Sequence, residues 1–363
     1  MATTPWVISN HGLRRSGGIE QYLCTLVRGL HDRGMRPVVV AKSFDGALEE
    51  VGWVDPVKIG VGALPGKLRD LWFDWRLQRL KAKRGWFPLI ALNQTAAADI
   101  AICGSNHPAH LVAMAQPSRF WDRRKIALER SHLENSKVVI AHSQLLASQI
   151  VEHYDIRRSK IRVVYPPVDE RRFRPIEEAQ RLQLRAQFGF PADRPVFLLA
   201  STGHARKGLD IAVAALAGSG AILALAGRPP AISAPHLRYL GYRTDMEAVY
   251  QAADCTLIAS RYEPFGLVGI ESVLCGTPVI AARAVGCAEV LSPRAAWRFD
   301  VDEPFSLSAA VGEAMARWQD GTLHLASPQR EIAYDPSIES HLDILLEWVT
   351  RLTSVRVHEH RAT

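Results

Sequence analysis

Short apolar runs recur along this chain. Each is followed by a glycine-rich or polar turn and, in most cases, by a stretch with helical apolar spacing. The first unit is "WVIS", then "NHGLRRSGG", then a segment whose apolar residues Ile19, Tyr22, Leu23, Leu26, Val27 and Leu30 fall on one helical face. Gly34 closes that helix and "PVVVAKS" opens the next strand. The runs "KVVIAHS", "IRVVYPP", "VFLLAST", "AILALAG", "LRYLG", "CTLIAS" and "TPVIAAR" read as further strands. A strand that pairs in parallel with the next needs a crossover, usually a helix. The pattern therefore predicts α/β architecture, with parallel sheets covered on both faces.

The alternation breaks at "VVYPPVDERRFRPIEEA", where prolines and an acid–base cluster separate two strand-rich halves. A chain of 363 residues is long for one domain. The expected division is 1–168 and 169–335, two Rossmann-like doubly wound domains with a cleft between them. The segment 336–363, containing "SIESHLDILLEWVTRL", reads as a helix that packs back on the first domain. A composition of 48% hydrophobic and 22% charged residues suits large cores. No apolar run is long enough to span a bilayer, and strand-like "WVISN" stands where a leader would be. Cys24, Cys103, Cys255, Cys275 and Cys287 form no CxxC and lack zinc spacing, so reduced thiols and a cytoplasmic location are expected. The formal charge of +7 favours an anionic partner: nucleic acid, a membrane surface or a phosphorylated substrate. No nucleic-acid module is recognisable.

In open α/β sheets ligands sit beyond the carboxyl ends of strands. Glu263 follows "CTLIAS" closely, Pro264 suits a first helical turn, and Gly266 lets backbone approach a ligand. Glu271 is then expected about two turns along that helix. A carboxylate accepts two hydroxyl protons at once, which suits a polyhydroxylated ligand; the competing reading is a surface helix with two solvated acids. Arg206 and Lys207 in "STGHARKGLDIAVAAL" fall between a strand and a helix N-terminus, a setting for a diphosphate or for a plain basic turn. Gly17 and Gly18 open the first helix, as a phosphate cradle or simply a tight turn. Neither GxGxxG nor GxxxxGK[ST] is present. Asp300 and Asp302 read as a solvated loop, and no metal site is expected.

In this order these motifs resemble the retaining glycosyltransferases of family 4, which share the GT-B fold. The resemblance runs from "SGGIEQYLCTLVRGLHDRG" through "VVYPPVDERRFRP" and "RKGLDIAVAAL" to "LGYRTDMEAVYQAADCTLIASRYEPFGLVGIESVLCGTPVIAARAVGCAEVL". It implies that Glu263 faces the donor sugar and Glu271 the ribose. Phe265, Gly266 and Leu267 would lie along sugar and phosphate by their amides, Arg206 and Lys207 would hold the diphosphate, and Gly241 and Tyr242 would lie near the base. Many members carry an arginine several residues before the lysine; here Thr202 stands in that region and Arg206 adjoins Lys207. That adjacency, "ALNQTAAADIAICG" with Asp99 at a strand end, and "ALERSHLENSKVVIAHS" with Glu129 are similar to lipopolysaccharide-core glucosyltransferases. Asp99 is then a candidate to orient the acceptor. His107 is a candidate donor-sugar ligand or an ordinary loop histidine, and His204 reads as structural.

The resemblance implies sugar transfer from a nucleotide sugar, with a UDP-linked hexose as the expected donor, with retention at the anomeric carbon and without a metal or cofactor. The implied acceptor is a lipid-linked or core-oligosaccharide glycan of the bacterial envelope. Alternatives are a nucleotide-sugar epimerase or hydrolase of the same fold and a non-catalytic nucleotide-sugar-binding scaffold. The stretch "GKLRDLWFDWRLQRLKAKRGWF" interleaves Lys67, Arg69, Arg76, Arg79, Lys81, Lys83 and Arg84 with aromatic residues. It reads either as a core helix facing inward through Leu68, Leu71, Trp72 and Trp75, or as an interfacial helix on an anionic membrane. The second reading places the protein peripherally at the inner face of the cytoplasmic membrane.

Overall fold

The computed structural model describes residues 6–15 and 17–361, without the side chains of Pro304 and 357–361. Ser16 lies outside the described residues. The chain forms two compact units, Met1–Pro167 with Pro336–Thr363, and Val168–Asp335.

The first unit runs β1 (Val7–Ser9), β2 (Gly12–Leu13), α1 (Gly18–Asp32), β3 (Val38–Ala41), β4 (Ser43–Phe44), β5 (Asp55–Lys58) and α2 (Arg69–Arg84). It continues with β6 (Leu89–Ala91), β7 (Ile100–Cys103), α3 (His107–Ala113), α4 (Phe120–Asn135), β8 (Val138–Ala141), α5 (Gln144–Tyr154) and β9 (Ile161–Val163). Seven of these strands form one sheet in the order β5-β3-β1-β6-β7-β8-β9, while β2 and β4 pair separately. Every pairing is parallel. The apolar runs are continuous because both faces are covered. Ile8, Val39, Ile90, Ile102 and Ile140 pack into one core with Leu23, Leu26 and Leu30 of α1. Their neighbours Val7, Val40, Leu89, Ala101 and Val139 pack into a second core with Phe73 and Leu77 of α2.

The second unit runs α6 (Glu178–Phe188), β10 (Val196–Ser201), α7 (His204–Lys207), α8 (Leu209–Leu216), β11 (Ile222–Gly227), β12 (Leu237–Gly241) and α9 (Met246–Ala252). It ends with β13 (Cys255–Ile258), α10 (Leu267–Leu274), β14 (Val279–Ala282), β15 (Ala296–Phe299) and α11 (Pro304–Gln319). Its strands form a parallel sheet in the order β12-β11-β10-β13-β14-β15. The final helix, α12 (Ile338–Arg361), belongs to the first unit. Leu342, Leu345 and Val349 of α12 join the core under α1. The crossing is close at Gly29, where an added Cβ would lie 2.5 Å from Ile338 Cγ1.

In both sheets the strand order reverses once, between β1 and β6 in the first and between β10 and β13 in the second. Such reversals open a crevice at the carboxyl edge. The amino edge is pinned instead. Asp254, immediately before β13, accepts the Val196 N–H at 2.7 Å, Arg185 Nη1 at 2.8 Å and Arg181 Nη2 at 2.5 Å. Burial alone would raise its carboxyl. The bond from His324 and the charges of Arg185 and Arg181 outweigh that and bring it down to about 2.

Replacing Asp254 with alanine strands two arginines and should cost the second unit about 3–5 kcal/mol, read by chemical denaturation. The native pKa is depressed, so the stability due to its ionisation is fully present above the ordinary carboxylate value. Acid titration of wild type should show that stability lost as pH falls from about 4 towards 2.

Candidate functional site

The loops after β10 and β13 flank the reversal of strand order in the second unit. After β10 the chain makes a single helical turn, α7, rather than entering a long helix directly. Arg206 and Lys207 occupy the last two positions of that turn. Ser201 Oγ and His204 Nδ1 are 2.8 Å apart, and His204 Nε2 lies 3.2 Å from the Pro229 carbonyl. The carbonyl can only accept, so the ring donates from Nε2 and accepts from the serine. Gly208 then turns the chain into α8 at φ +68, where an added Cβ would stand 1.9 Å from the Ala259 carbonyl oxygen. Arg261 braces α7 from the other loop. Its N–H donates to the Arg206 carbonyl at 2.9 Å, and its guanidinium reaches the Ala205 carbonyl at 2.7 Å and Asp210 Oδ2 at 2.6 Å.

These restraints aim both cations at one carboxylate. Glu263 Oε2 accepts Arg206 Nη1 at 2.8 Å and Lys207 Nζ at 2.5 Å. Burial alone would raise the Glu263 carboxyl, but the charges and hydrogen bonds of Lys207 and Arg206 prevail and hold it below the ordinary value. The Glu263 backbone is fixed as well: Gly286 N–H donates to its carbonyl at 3.1 Å, and Cys287 N–H donates to the Phe265 carbonyl at 2.7 Å. Gly266 has φ +90, and a Cβ there would press on Glu263 Cγ at 3.0 Å and Val285 Cγ1 at 3.3 Å.

The helix after Glu263 starts later than the sequence suggests. Pro264 and Phe265 remain in the turn, α10 begins at Leu267, and Glu271 falls about one turn in rather than two. The left-handed backbone at Gly266 delays the start, and it leaves the Leu267 amide in the first turn of α10, where no carbonyl of the helix can reach it. Glu271 Oε2 accepts the Tyr250 hydroxyl at 3.0 Å. Burial raises the Glu271 carboxyl; Tyr250, Arg172 and Lys207 oppose that without overcoming it. Lys207 thus acts on both glutamates. Tyr250 and Arg172 escape a reading by local motif because they lie far from Glu271 in sequence. Arg172 sits in the proline-rich stretch, fixed by Glu247 Oε2 at 2.7 Å and the Thr244 carbonyl at 2.5 Å. Gly241 ends β12 at φ +79, and the Tyr242 side chain after it is exposed.

In the first unit Gly17 and Gly18 stand at the start of α1, after β1 and so beside the other reversal of strand order. Neither has a positive φ, and a Cβ on Gly17 would meet Glu20 Oε2 at 2.8 Å. His107 opens α3 after β7, also at the carboxyl edge. Two carboxylates of α4 hold it: Glu129 Oε2 accepts its backbone N–H at 2.9 Å and Asp122 Oδ1 lies 3.0 Å from its Nε2. Glu129 is buried, which raises its carboxyl, and it also accepts the Tyr154 hydroxyl.

Asp99 requires a correction. It does not end a strand; it precedes β7 and lies at the amino edge, away from the crevice. Its Oδ2 accepts the Leu89 N–H at 2.8 Å and lies 2.7 Å from Lys81 Nζ. This is the arrangement of Asp254 repeated, and it makes Asp99 a strand clamp. The sequence carried a signal for it, since "AAD" precedes an apolar strand in both "TAAADIAIC" and "QAADCTLI".

Among the described residues no cluster of three or more His, Cys, Asp or Glu side chains is placed to hold a metal. Among the described residues no helix is long and apolar enough to cross a membrane. The basic aromatic segment forms α2, and its core-facing residues are Phe73 and Leu77 rather than Trp72 and Trp75. Leu68, Trp72 and Trp75 are exposed, and Arg79 stacks over the Trp75 ring at 4.1 Å.

Residues 16–172 match the family described as Glycosyltransferase Family 4, and residues 180–320 match Glycosyl transferases group 1. A probable transglycosylase of Burkholderia thailandensis is 42% identical over 354 residues, covering 96% of this chain and 98% of the relative. Among solved structures, Anabaena HepE in complex with UDP and glucose superposes with a TM-score of 0.75 at 18% identity, covering 96% of this chain and all of that one. WaaG, a glycosyltransferase involved in lipopolysaccharide biosynthesis, gives 0.73 at 16% identity over 87% of this chain and 92% of its own. These likenesses establish the GT-B fold. The chain belongs to the glycosyltransferases whose first half is of the family 4 type and whose second half is of group 1, and it transfers sugar.

Proposed function

We propose that this glycosyltransferase is a retaining enzyme that moves a hexose from a UDP-sugar to a lipopolysaccharide-core or other envelope glycan. The observation that carries this reading is the meeting of Arg206 and Lys207 with Glu263, with Glu271 one turn into the helix that follows, beside the strand reversal of the second unit. The choice of UDP rests on the nucleotide in the Anabaena structure, and the envelope acceptor on likeness to WaaG.

In this reading the second unit takes the donor. Arg206 and Lys207 hold the diphosphate and stabilise the charge that grows on it as the bond to the sugar breaks. Two fixed side-chain cations meet that requirement without a metal ion. Glu263 and the amides of Phe265, Gly266 and Leu267 receive the sugar. Glu271 accepts ribose hydroxyls, with Tyr250 orienting its carboxylate. The departing phosphate oxygen takes the proton of the acceptor hydroxyl as that hydroxyl attacks the same face of the anomeric carbon. Configuration is retained and no carboxylate base is needed. The first unit takes the acceptor. The family resemblance assigns His107, which Glu129 and Asp122 hold, to the donor sugar, and Gly17 and Gly18 to donor binding. Asp99 has no place in the chemistry.

The outward face of α2 fits a membrane-bound acceptor. Indole rings settle at headgroup depth, and each cation near an anionic surface contributes about 1 kcal/mol. Leu68, Trp72 and Trp75 would enter the interface, with Arg76, Arg79, Lys83 and Arg84 over the headgroups.

A donor screen with UDP-, GDP- and ADP-sugars should give nucleotide release with UDP-sugars that depends on an added core glycan. Release without an acceptor would favour a hydrolase. Lys207→Ala should lower turnover by about 10²-fold, as loss of an oxyanion-stabilising donor does.

Steady-state kinetics should separate the two glutamates. Glu271→Ala should raise the donor KM, because ribose is held equally in ground and transition states, whereas Glu263→Ala should mainly lower kcat. Near-wild-type constants for both would remove the pair from the site.

Sedimentation with vesicles should show binding to anionic but not zwitterionic lipid, lost when Arg76, Arg79, Lys83 and Arg84 become glutamine. Lys81 is left in place because it clamps Asp99. Binding that persists in the quadruple variant would exclude α2 as the contact.

A further inference from the structure

The carboxylate assigned to the donor sugar already occupies the cations assigned to the donor phosphate. One oxygen, Glu263 Oε2, lies 2.8 Å from Arg206 Nη1 and 2.5 Å from Lys207 Nζ. Arg206 Nη1 also donates to the Tyr262 carbonyl at 3.1 Å. The pair is sheltered, with side-chain exposures of 13% for Lys207 and 16% for Glu263. A carboxylate oxygen and a phosphate oxygen offer these donors the same kind of charge-assisted bond. Both anions cannot engage the two cations fully at once. A sheltered carboxylate also cannot release its cations without replacement partners, because an unpaired charge there is costly.

We propose that Glu263 is an internal counter-ion that stands in for the donor's diphosphate and makes the site favour the intact nucleotide sugar over the nucleoside diphosphate product. The proposal rests on the donor reading given above. An intact donor brings both halves of an exchange: its phosphates take Arg206 and Lys207 while its sugar hydroxyls donate to Glu263. The product brings only one half. Once the sugar has left, Glu263 has lost the hydroxyls that drew it away, and it competes with the diphosphate for the same two cations. Transfer of the sugar therefore weakens the hold on the leaving product. The exchange breaks and makes only ion pairs and hydrogen bonds, and total charge is unchanged.

Glu263→Gln tests this directly. Glutamine keeps the volume and a hydroxyl-accepting carbonyl but removes the competing charge. Calorimetric titration of both proteins with inorganic pyrophosphate, UDP, GDP, ADP and uridine is the measurement. Pyrophosphate and the preferred nucleoside diphosphate should bind the variant about tenfold more tightly, the worth of one charge-assisted hydrogen bond, while uridine binds both proteins alike. The intact UDP-sugar should gain less than UDP, so preference for donor over product should fall. Misfolding cannot imitate this result, since it lowers affinity. Equal or weaker binding of pyrophosphate and UDP by the variant overturns the proposal while leaving the donor reading intact. If wild type binds no nucleoside diphosphate but pyrophosphate still binds the variant more tightly, the donor reading fails and the counter-ion role stands.

Discussion

Parallel pairing governs this molecule. Each strand must be followed by a connection that travels back over a face of the sheet, so both faces are buried and every strand points its carboxyl end to the same edge. Buried faces leave little room for polar chemistry. The edge where strand order reverses is different, because the crossovers there depart to opposite faces and leave loops with free polar groups between them. In the second unit the loops after β10 and β13 meet this condition, and Arg206, Lys207 and Glu263 stand on them. The close approach at Gly208 follows from it, since a Cβ there would run into the Ala259 carbonyl, where the chain leaves β13.

The opposite edge shows how the same sheets are kept in register. Asp99 and Asp254 each precede a strand beside the reversal or one strand from it, and each ties down the first amide of a neighbouring strand. Each carries cations from a helix on the flank, Lys81 of α2 in one unit and Arg181 and Arg185 of α6 in the other. Carboxylates thus serve two purposes in the chain. At the amino edges they are saturated by backbone and cations and hold structure. At the carboxyl edge of the second unit Glu263 meets only side-chain cations, Arg206 and Lys207, with no strand amide among its ion-pair partners.

Much of this was legible in the chain itself. Apolar runs such as "VVVA", "VVIA" and "ILALAG" were readable as strands because they are short, β-branched or aliphatic, and bounded by turn residues, which suits a layer buried on both sides. "DPVK" and "AWRF" were not distinguishable, since β5 is an exposed edge and β15 is short with a charged residue in it. The family resemblance joined Arg206 and Lys207 to Glu263 and Glu271; in the structure Arg206 and Lys207 meet Glu263, while Glu271 is bonded by Tyr250. What spacing could not give was direction. Asp99 reads equally well as the end of one strand or the start of another until pairing is known. Trp72 and Trp75 match a helical stripe as well as Phe73 and Leu77 do, and only the packed sheet decides which stripe turns inward. Tyr250 and Arg172 come to Glu271 through tertiary structure alone.

The return of α12 to the first unit has a bearing on how the protein is made. The second unit is one unbroken segment and holds all of its own residues by Asp335. The first unit begins at the other end of the chain, yet Leu342, Leu345 and Val349 belong to its core. During synthesis the domain that starts first therefore finishes last. Until those residues leave the ribosome, the side of α1 around Gly29 lacks its cover, and the growing chain must carry that apolar stripe through the whole translation of the second unit.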